Sequence, residues 1–275
     1  MTAIDGTTFG GVSTTTLWTL HNRASEARRP DGAVTDPWAV TLFDAIDHDY
    51  AKFGKPDQSH GLRAATFDGV TADHLLEHPR TSIVALAEGL QTSFWRLDAA
   101  GLLDEATWFS VDLPPVMEVR RQLLPDDTRI VALAQSALDW SWMDAVADRD
   151  GQRVFITAEG LLMYLDPDDV FALITACAAR FPGGAIMFDS IPHWFSRKTM
   201  KGFKLSERYV APPMPFALTA DEALALPDRL PGVRSARDVH VRPGRGAFKV
   251  AGWPVLDRIG PIRRARPSIT VLEFE

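Results

Sequence analysis

The chain is poor in the residues that build covalent and metal scaffolds. Its 275 residues include one cysteine, Cys177, so no internal disulfide can form, and a reducing cytoplasmic setting is expected. The seven histidines show no pairing with cysteine or acid at ligand spacing, so no metal site is expected. Long apolar runs are missing too. The longest candidates are interrupted by Glu159, Asp166 or Arg180, well short of the ~20 residues that span a bilayer. Positive charge is in deficit: 29 Lys and Arg against 36 Asp and Glu leave a net charge of −7. No sequence-wide basic field would draw in nucleic acid or an anionic membrane. The opening MTAIDGTTFGG has no basic stretch followed by an apolar one, so no secretory leader is expected. Internal repeats, coiled-coil heptads and low-complexity tails are absent from the pattern.

What is present is a globular composition, with 46% hydrophobic and 24% charged residues. The length suits one large domain over 1–275. Residues 1–80 read as a helical amino-terminal portion. Leu17, Leu20 and Ala24 share a face within 14–29. Asp36-Pro37 restarts a helix carrying Trp38, Leu42, Phe43 and Ile46, and a third helix covers about 58–77. The pattern then changes to alternating strands and helices. Strands are expected at 81–86, 107–111, 129–134, 153–158, 184–190, 233–241 and 268–274. Helices are expected at 93–103, 114–124, 141–148, 167–181 and 252–260. Seven strands with crossover helices predict an α/β, Rossmann-like doubly wound sheet with helices on both faces. The last strand could pair antiparallel. Residues 191–227, rich in proline, aromatics and methionine, are too long for a simple loop. They predict a substrate cap inserted after the fifth strand. Residues 81–190 then form the cofactor-binding core, and 228–275 the closing strands.

The most informative stretch is 81–112. A strand, a short loop (Ala87, Glu88, Gly89), a helix and a second strand end on Asp112, the front half of a nucleotide-binding unit. Gly89 would let a ligand lie against the backbone, and Asp112 could accept hydrogen bonds from ribose hydroxyls. A dinucleotide loop wants G-x-G-x-x-G, whereas this loop keeps one glycine. Glu88 is expected where an anionic ligand would come closest, so a pyrophosphate would be repelled. NAD(P) is disfavoured, and with it a nicotinamide oxidoreductase; no Walker phosphate loop is present. The phosphate-free, cationic nucleoside that suits such a site is S-adenosylmethionine.

The chain resembles the leucine carboxyl methyltransferase family, nearest its bacterial polyketide O-methyltransferase branch. The resemblance rests on T-L-W-T-L-H-N-R-A-S-E-A-R-R-P and D-P-W-A-V near the amino end. It continues through V-D-L-P-P-V (111–116), S-A-L-D-W-S-W (136–142), A-E-G-L-L-M-Y-L (158–165) and F-D-S-I-P (188–192). It covers most of the chain and fades after about residue 215. The first loop departs from the family's L-G-x-G-x-D-T-R: Ala87, Gln91 and Ser93 replace a glycine, an aspartate and an arginine.

The resemblance implies a methyltransferase sheet and a set of site residues. Arg63 matches a family arginine that pairs with the cofactor carboxylate. Glu159, at the end of the fourth strand, would hold the cofactor ammonium. Ala87, Gly89, Asp112 and Leu113 would line the methionine and ribose portions. Ser136, Ala137 and Leu138, after the third strand, would meet the adenine, with Asp139, Trp140 and Trp142 shaping that wall. Arg23 is a candidate for an anionic group of cofactor or substrate. His193, Trp194, Tyr209 and Met214 are the expected substrate contacts in the cap, with Phe195 and Phe216 beside them. Tyr164 could touch the methyl donor or acceptor; otherwise no catalytic side chain is expected. His21 and His193 stand out among the histidines because both could lie under the cap. Cys177, on an amphipathic helix, is expected to be buried and inert.

The expected activity is S-adenosylmethionine-dependent O-methylation of a carboxylate, or a phenol, on a small apolar or aromatic, polyketide-like acceptor. Neither nucleic acid nor membrane is an expected partner. A carboxylate is ionised near pH 7 and needs no general base, whereas a phenol would ask for one. The altered loop leaves a second reading, a cofactor-binding or cofactor-impaired regulatory module.

Overall fold

A computed structural model describes residues 4–147, 152–249 and 258–275. Seven strands form one sheet: β1 (Thr81–Leu86), β2 (Thr107–Asp112), β3 (Ile130–Ala134), β4 (Arg153–Ala158), β5 (Ala185–Ser190), β6 (Val233–Val239) and β7 (Ser268–Phe274). Their spatial order is β6-β7-β5-β4-β1-β2-β3. The first five run parallel, and β7 pairs antiparallel with both β5 and β6. The helices are α1 (Thr15–Ala27), α2 (Pro37–Ala45), α3 (Ser59–Glu77), α4 (Ser93–Asp98), α5 (Pro114–Leu123), α6 (Trp142–Ala147), α7 (Pro167–Arg180), α8 (His193–Met200), α9 (Ala220–Leu224) and α10 (Gly260–Ala265).

The central strands are buried on both faces, which explains their unbroken apolar runs. Alternate residues serve two cores. Val84, Leu86, Phe109, Ile156 and Ile186 face one side, where Val170, Leu173, Ile174 and Cys177 of α7 cover them. Ile83, Ala85, Trp108, Phe155 and Met187 face the other, against Phe67, Val70 and Leu75 of α3 and Phe94 and Leu97 of α4. A third cluster joins Leu17, Leu20 and Ala24 of α1 to Ala39 and Leu42 of α2 and Val116 and Val119 of α5. Asp36 starts α2 by accepting from the Ala39 amide at 2.9 Å, with Pro37 at the first helical position.

Some boundaries differ from the sequence expectation. The helix expected over 93–103 stops at Asp98, and Gly101 turns the chain with φ +71°. The helix expected at 252–260 falls largely on 250–257, outside the described residues; α10 starts at Gly260. Residue 148, the expected end of α6, is also outside them. Residues 191–227 do follow β5. They hold α8, a short antiparallel pair (Lys204–Ser206 with Tyr209–Val210) and α9, whose Thr219 and Glu222 form a capping box. Among the described residues no helix is long and apolar enough to cross a membrane.

β1 lies between β2 and β4, so the loops leaving β1 and β4 emerge side by side and diverge to opposite sides. This is the switch point at which open α/β sheets bind ligands. It sets Ala87–Glu88–Gly89 beside Glu159–Gly160.

Candidate active site

A cavity of about 590 Å³ opens at the carboxyl ends of β1, β2, β3, β4 and β5, roofed by α1, α3 and residues from the 191–227 insertion. It is large enough for a nucleoside and a small acceptor together.

The loop after β1 is held by four side chains from three other elements, α1, β2 and α5. Asp112 Oδ2 accepts from the Gly89 amide at 2.6 Å, and Oδ1 accepts from the Leu113 amide at 2.7 Å. Thr16 Oγ1 accepts from the Leu90 amide at 2.8 Å. Arg120 donates to the carbonyls of Gly89 and Gln91, at 2.8 and 2.7 Å. Arg23 donates to the Leu90 carbonyl at 2.5 Å. Gly89 has φ +60°, and a Cβ there would lie 2.5 Å from Thr16 Oγ1, so only glycine fits. Ala87 is the only non-glycine residue with positive φ among the described residues, at +49°. It occupies the backbone shape that the family's missing glycine would take.

Glu88 corrects the sequence reading. It is buried at 6% exposure, and its carboxylate pairs with Arg120 at 2.7 Å. It also accepts from Trp108 Nε1 at 3.2 Å and from the Ser110 hydroxyl. Burial pushes its carboxyl above the ordinary value, opposed by Arg120. The charge is neutralised by a partner on α5, so Glu88 does not present an unpaired carboxylate to a ligand, and repulsion of a pyrophosphate does not follow from it. The loss of the loop glycines remains the argument against a dinucleotide.

At the end of β4, Glu159 Oε1 accepts from Arg63 Nε at 2.9 Å and from Gln91 Nε2 at 2.7 Å. Arg63 Nη1 also donates to Asp189 Oδ2 at 3.0 Å, while Asp189 Oδ1 accepts from the Gly160 amide at 2.6 Å. Burial raises the Glu159 carboxyl above its usual value, and nearby Asp189 adds to this, while Arg63 pulls it back. Burial likewise raises Asp112, against the two backbone bonds that favour its charged form. Asp189 on β5 was not singled out by sequence reasoning. Its signal was available, since it lies in the F-D-S-I-P stretch at a strand end.

Arg63, Ala87, Gly89, Asp112, Leu113, Ser136, Ala137, Leu138, Glu159, Tyr164 and Met214 all line this cavity. Leu113 and Leu138 are the exposed, apolar ones among these. Ala137 is fixed by its carbonyl, which accepts from Trp142 Nε1 at 3.0 Å. Trp142 is fully buried and acts as a support for that wall.

Four expected substrate contacts lie elsewhere. Arg23 is 1% exposed and bonds Asp36 at 2.8 Å, so it braces the loop rather than meeting a ligand. His193 pairs with Glu222 at 2.7 Å on the outside of the cap. Trp194 is 49% exposed and donates to the Ala265 carbonyl at 2.9 Å. Tyr209 packs edge-on against Phe53, with ring centroids 4.8 Å apart. Phe195 reaches the cavity instead, and Phe216 turns into the core against Phe171. His21 stacks among Phe43, Tyr50 and Phe53, away from the cavity. His60, passed over in the sequence, does line it.

The donor set fits S-adenosylmethionine. A zwitterionic tail would pair with a cation and an anion, and Arg63, Glu159 and Asp189 lie together here. A ribose diol needs a carboxylate at a strand end, and Asp112 is there.

Comparison with known proteins agrees. Residues 16–178 match the leucine carboxyl methyltransferase family, more than half of the chain. Tetracenomycin polyketide synthesis O-methyltransferase TcmP of Streptomyces glaucescens is 29% identical over 227 residues, covering 82% of this chain and 81% of that one. A candidate S-adenosyl-L-methionine-dependent methyltransferase of Mycolicibacterium gilvum is 30% identical over 215 residues, covering 67% and 69%. The fold is shared with a candidate methyltransferase of Thermobifida fusca, with a TM-score of 0.50 and 18% identity, covering 90% of this chain and 99% of that one. The fold and site thus define an S-adenosylmethionine-dependent methyltransferase. The chain belongs to the leucine carboxyl methyltransferase family.

Proposed function

We propose that this enzyme methylates a carboxylate oxygen of a small, apolar or aromatic, polyketide-like acceptor. The observation that carries the proposal is the chemistry of the cavity beyond the cofactor residues. Val12, Trp18, Leu165, Ile191, Phe195 and Met214 line it, and they favour an apolar body. Tyr164, the ionisable hydroxyl there, is pushed up to about 12 by burial and is no base near neutral pH. An acceptor that arrives ionised suits such a wall. The name of the Streptomyces relative, a polyketide O-methyltransferase, supports the acceptor class.

In this reading Asp112 holds the ribose, Ser136 to Leu138 face the adenine, and Arg63, Glu159 and Asp189 hold the amino-acid tail. Bound S-adenosylmethionine would supply a methyl group on a sulfonium, with the neutral thioether S-adenosylhomocysteine as the leaving group. The protein contributes position: Gly89 and Gly160 leave room for Thr16 and Arg63, which fix the two loops, and the apolar wall limits water around the acceptor oxygen. The altered loop is consistent with an active enzyme, since Ala87 takes the turn geometry and Arg120, Arg23 and Thr16 secure it. The acceptor remains a free small molecule, with no nucleic acid or membrane needed.

The test is a screen of apolar aromatic acids and phenols with isotopically labelled S-adenosylmethionine, read by mass spectrometry. Base-labile methyl esters are expected. Methyl ethers formed in preference to esters would overturn the carboxylate assignment.

A further inference from the structure

His60 lines the cavity from the first turn of α3, one helical turn before Arg63. Its ring is fixed by Asn22 and by Trp18, which meets it edge-on with centroids 4.9 Å apart. Asn22 is buried on α1, and two backbone groups set its amide orientation. Its Oδ1 accepts from the Asp57 amide at 2.8 Å, and its Nδ2 donates to the Trp18 carbonyl at 3.2 Å. A backbone amide can only donate and a carbonyl can only accept, so oxygen and nitrogen cannot be exchanged. Nδ2 is also the atom 3.0 Å from His60 Nδ1. Nδ1 must therefore accept. Ser59 Oγ, 3.3 Å from the same nitrogen, bonds Asp57 Oδ1 at 2.5 Å.

In a neutral imidazole one nitrogen is bare and the other carries the proton. With Nδ1 bare, Nε2 is the donor. We infer that His60 is an acceptor-binding residue whose Nε2–H, fixed in that tautomer by Asn22, donates to the non-reacting oxygen of the substrate carboxylate. This rests on the carboxylate reading above and gives that carboxylate a named partner. It also removes His60 from the role of general base, since in this scheme the nitrogen that meets the acceptor already holds its proton. Burial, with the cationic Arg63 and Arg23 nearby, holds the ring well below its ordinary pKa and therefore neutral. A neutral donor beside a carboxylate orients it without forming a full ion pair, so the attacking oxygen keeps its charge. Asn22, which does not reach the acceptor in this scheme, is a positioning residue acting through His60.

Two measurements test this. Nitrogen-15 spectra of the histidine side chains, with His60 assigned by its loss in His60→Gln, are expected to show Nε2 protonated at neutral pH. In Asn22→Ala the preference for that tautomer is expected to fall, an effect that looser packing alone would not give. A His60 ring protonated at Nδ1 in the wild type would overturn the inference. The second measurement titrates 2-naphthoate, and separately 2-naphthol, into the protein saturated with S-adenosylhomocysteine. His60→Phe is expected to weaken 2-naphthoate by about 10- to 100-fold, the worth of one hydrogen bond to a charged group, while leaving S-adenosylhomocysteine affinity unchanged. His60→Gln, which keeps an amide donor near the Nε2 position, is expected to recover most of the loss. Equal 2-naphthoate affinity in wild type and His60→Phe, or no preference for the acid over the alcohol, would overturn the role of His60. Retained S-adenosylhomocysteine binding in the same samples would show that the cofactor site stands regardless. Methyl ethers in the product screen, with Nε2 protonated, would instead overturn the carboxylate reading.

Discussion

Glu88 and Arg120 form a buried ion pair, 2.7 Å apart, beneath the loop that leaves β1. The same guanidinium holds the Gly89 and Gln91 carbonyls, so one side chain neutralises the loop's acid and fixes its backbone. Arg120→Met should leave Glu88 buried and unpaired, at a cost of about 3–5 kcal/mol. Adding Glu88→Gln should recover a measurable part of that loss. Denaturant unfolding of the two variants checks this. A single variant as stable as the wild type would show that the pair does not hold the loop.

Ala87 makes the opposite prediction. Glycine normally destabilises relative to alanine through backbone entropy, by roughly 0.4–1 kcal/mol. At φ +49° an L side chain carries a steric cost of about 1–2 kcal/mol. Ala87→Gly should therefore leave stability unchanged or raise it by up to about 1.6 kcal/mol, measured by thermal or denaturant unfolding. A clear loss would mean the turn is unstrained with alanine.

The histidines set a pH dependence. Burial lowers His21, His48, His60 and His74, the last to about 4, with nearby His78 and Arg153 adding to the burial effect. The unfolded chain binds protons near pH 6.5 and the folded chain only at lower pH. Stability should be fully present above pH 6.5 and fall as the pH drops toward about 4. His74 stacks on Phe155 with centroids 4.5 Å apart, so His74→Phe keeps an aromatic surface while removing one titrating group. Melting temperatures across that window should decline less steeply in the variant. Identical slopes would remove His74 from the linkage.

The sheet was legible because its strands carry apolar runs at regular intervals between amphipathic helices. Gly89, Asp112, Ser136 and Glu159 were legible because a strand's carboxyl end is a fixed place in this topology. Side-chain direction was not. Glu88 reads as a loop acid in the sequence, yet its orientation depends on the positive φ of Ala87 and on Arg120, 32 residues away. Arg23 reads as a free cation, and nothing local reveals that Asp36 will bury it. Burial would raise the Asp36 pKa, but Arg96 and Arg23 hold it near about 2, so the network stays charged. Tyr209 and Trp194 lie in the insertion after β5, but composition does not say which of its aromatics turn inward. His60 was missed because a lone histidine carries no pattern; its meaning comes from Asn22, 38 residues earlier.

In the proposed reading Asp112 holds the ribose. Asp112→Ala should weaken S-adenosylhomocysteine by at least about 10-fold, since hydrogen bonds to a charged group contribute about 1.5–3 kcal/mol each. Part of that loss will come from the freed Gly89 amide, so Asp112→Asn, which can still accept from it, should lose less. Calorimetry of both variants checks the order, and equal affinity in all three proteins would remove Asp112 from the site.

The most direct measurement is a calorimetric titration of S-adenosylhomocysteine into the folded wild-type chain, followed by the same titration into Glu159→Gln. The account predicts saturable binding of one equivalent per chain, weakened in the variant because the acid that pairs with Arg63 has lost its charge. Absence of binding to folded wild-type protein would contradict it.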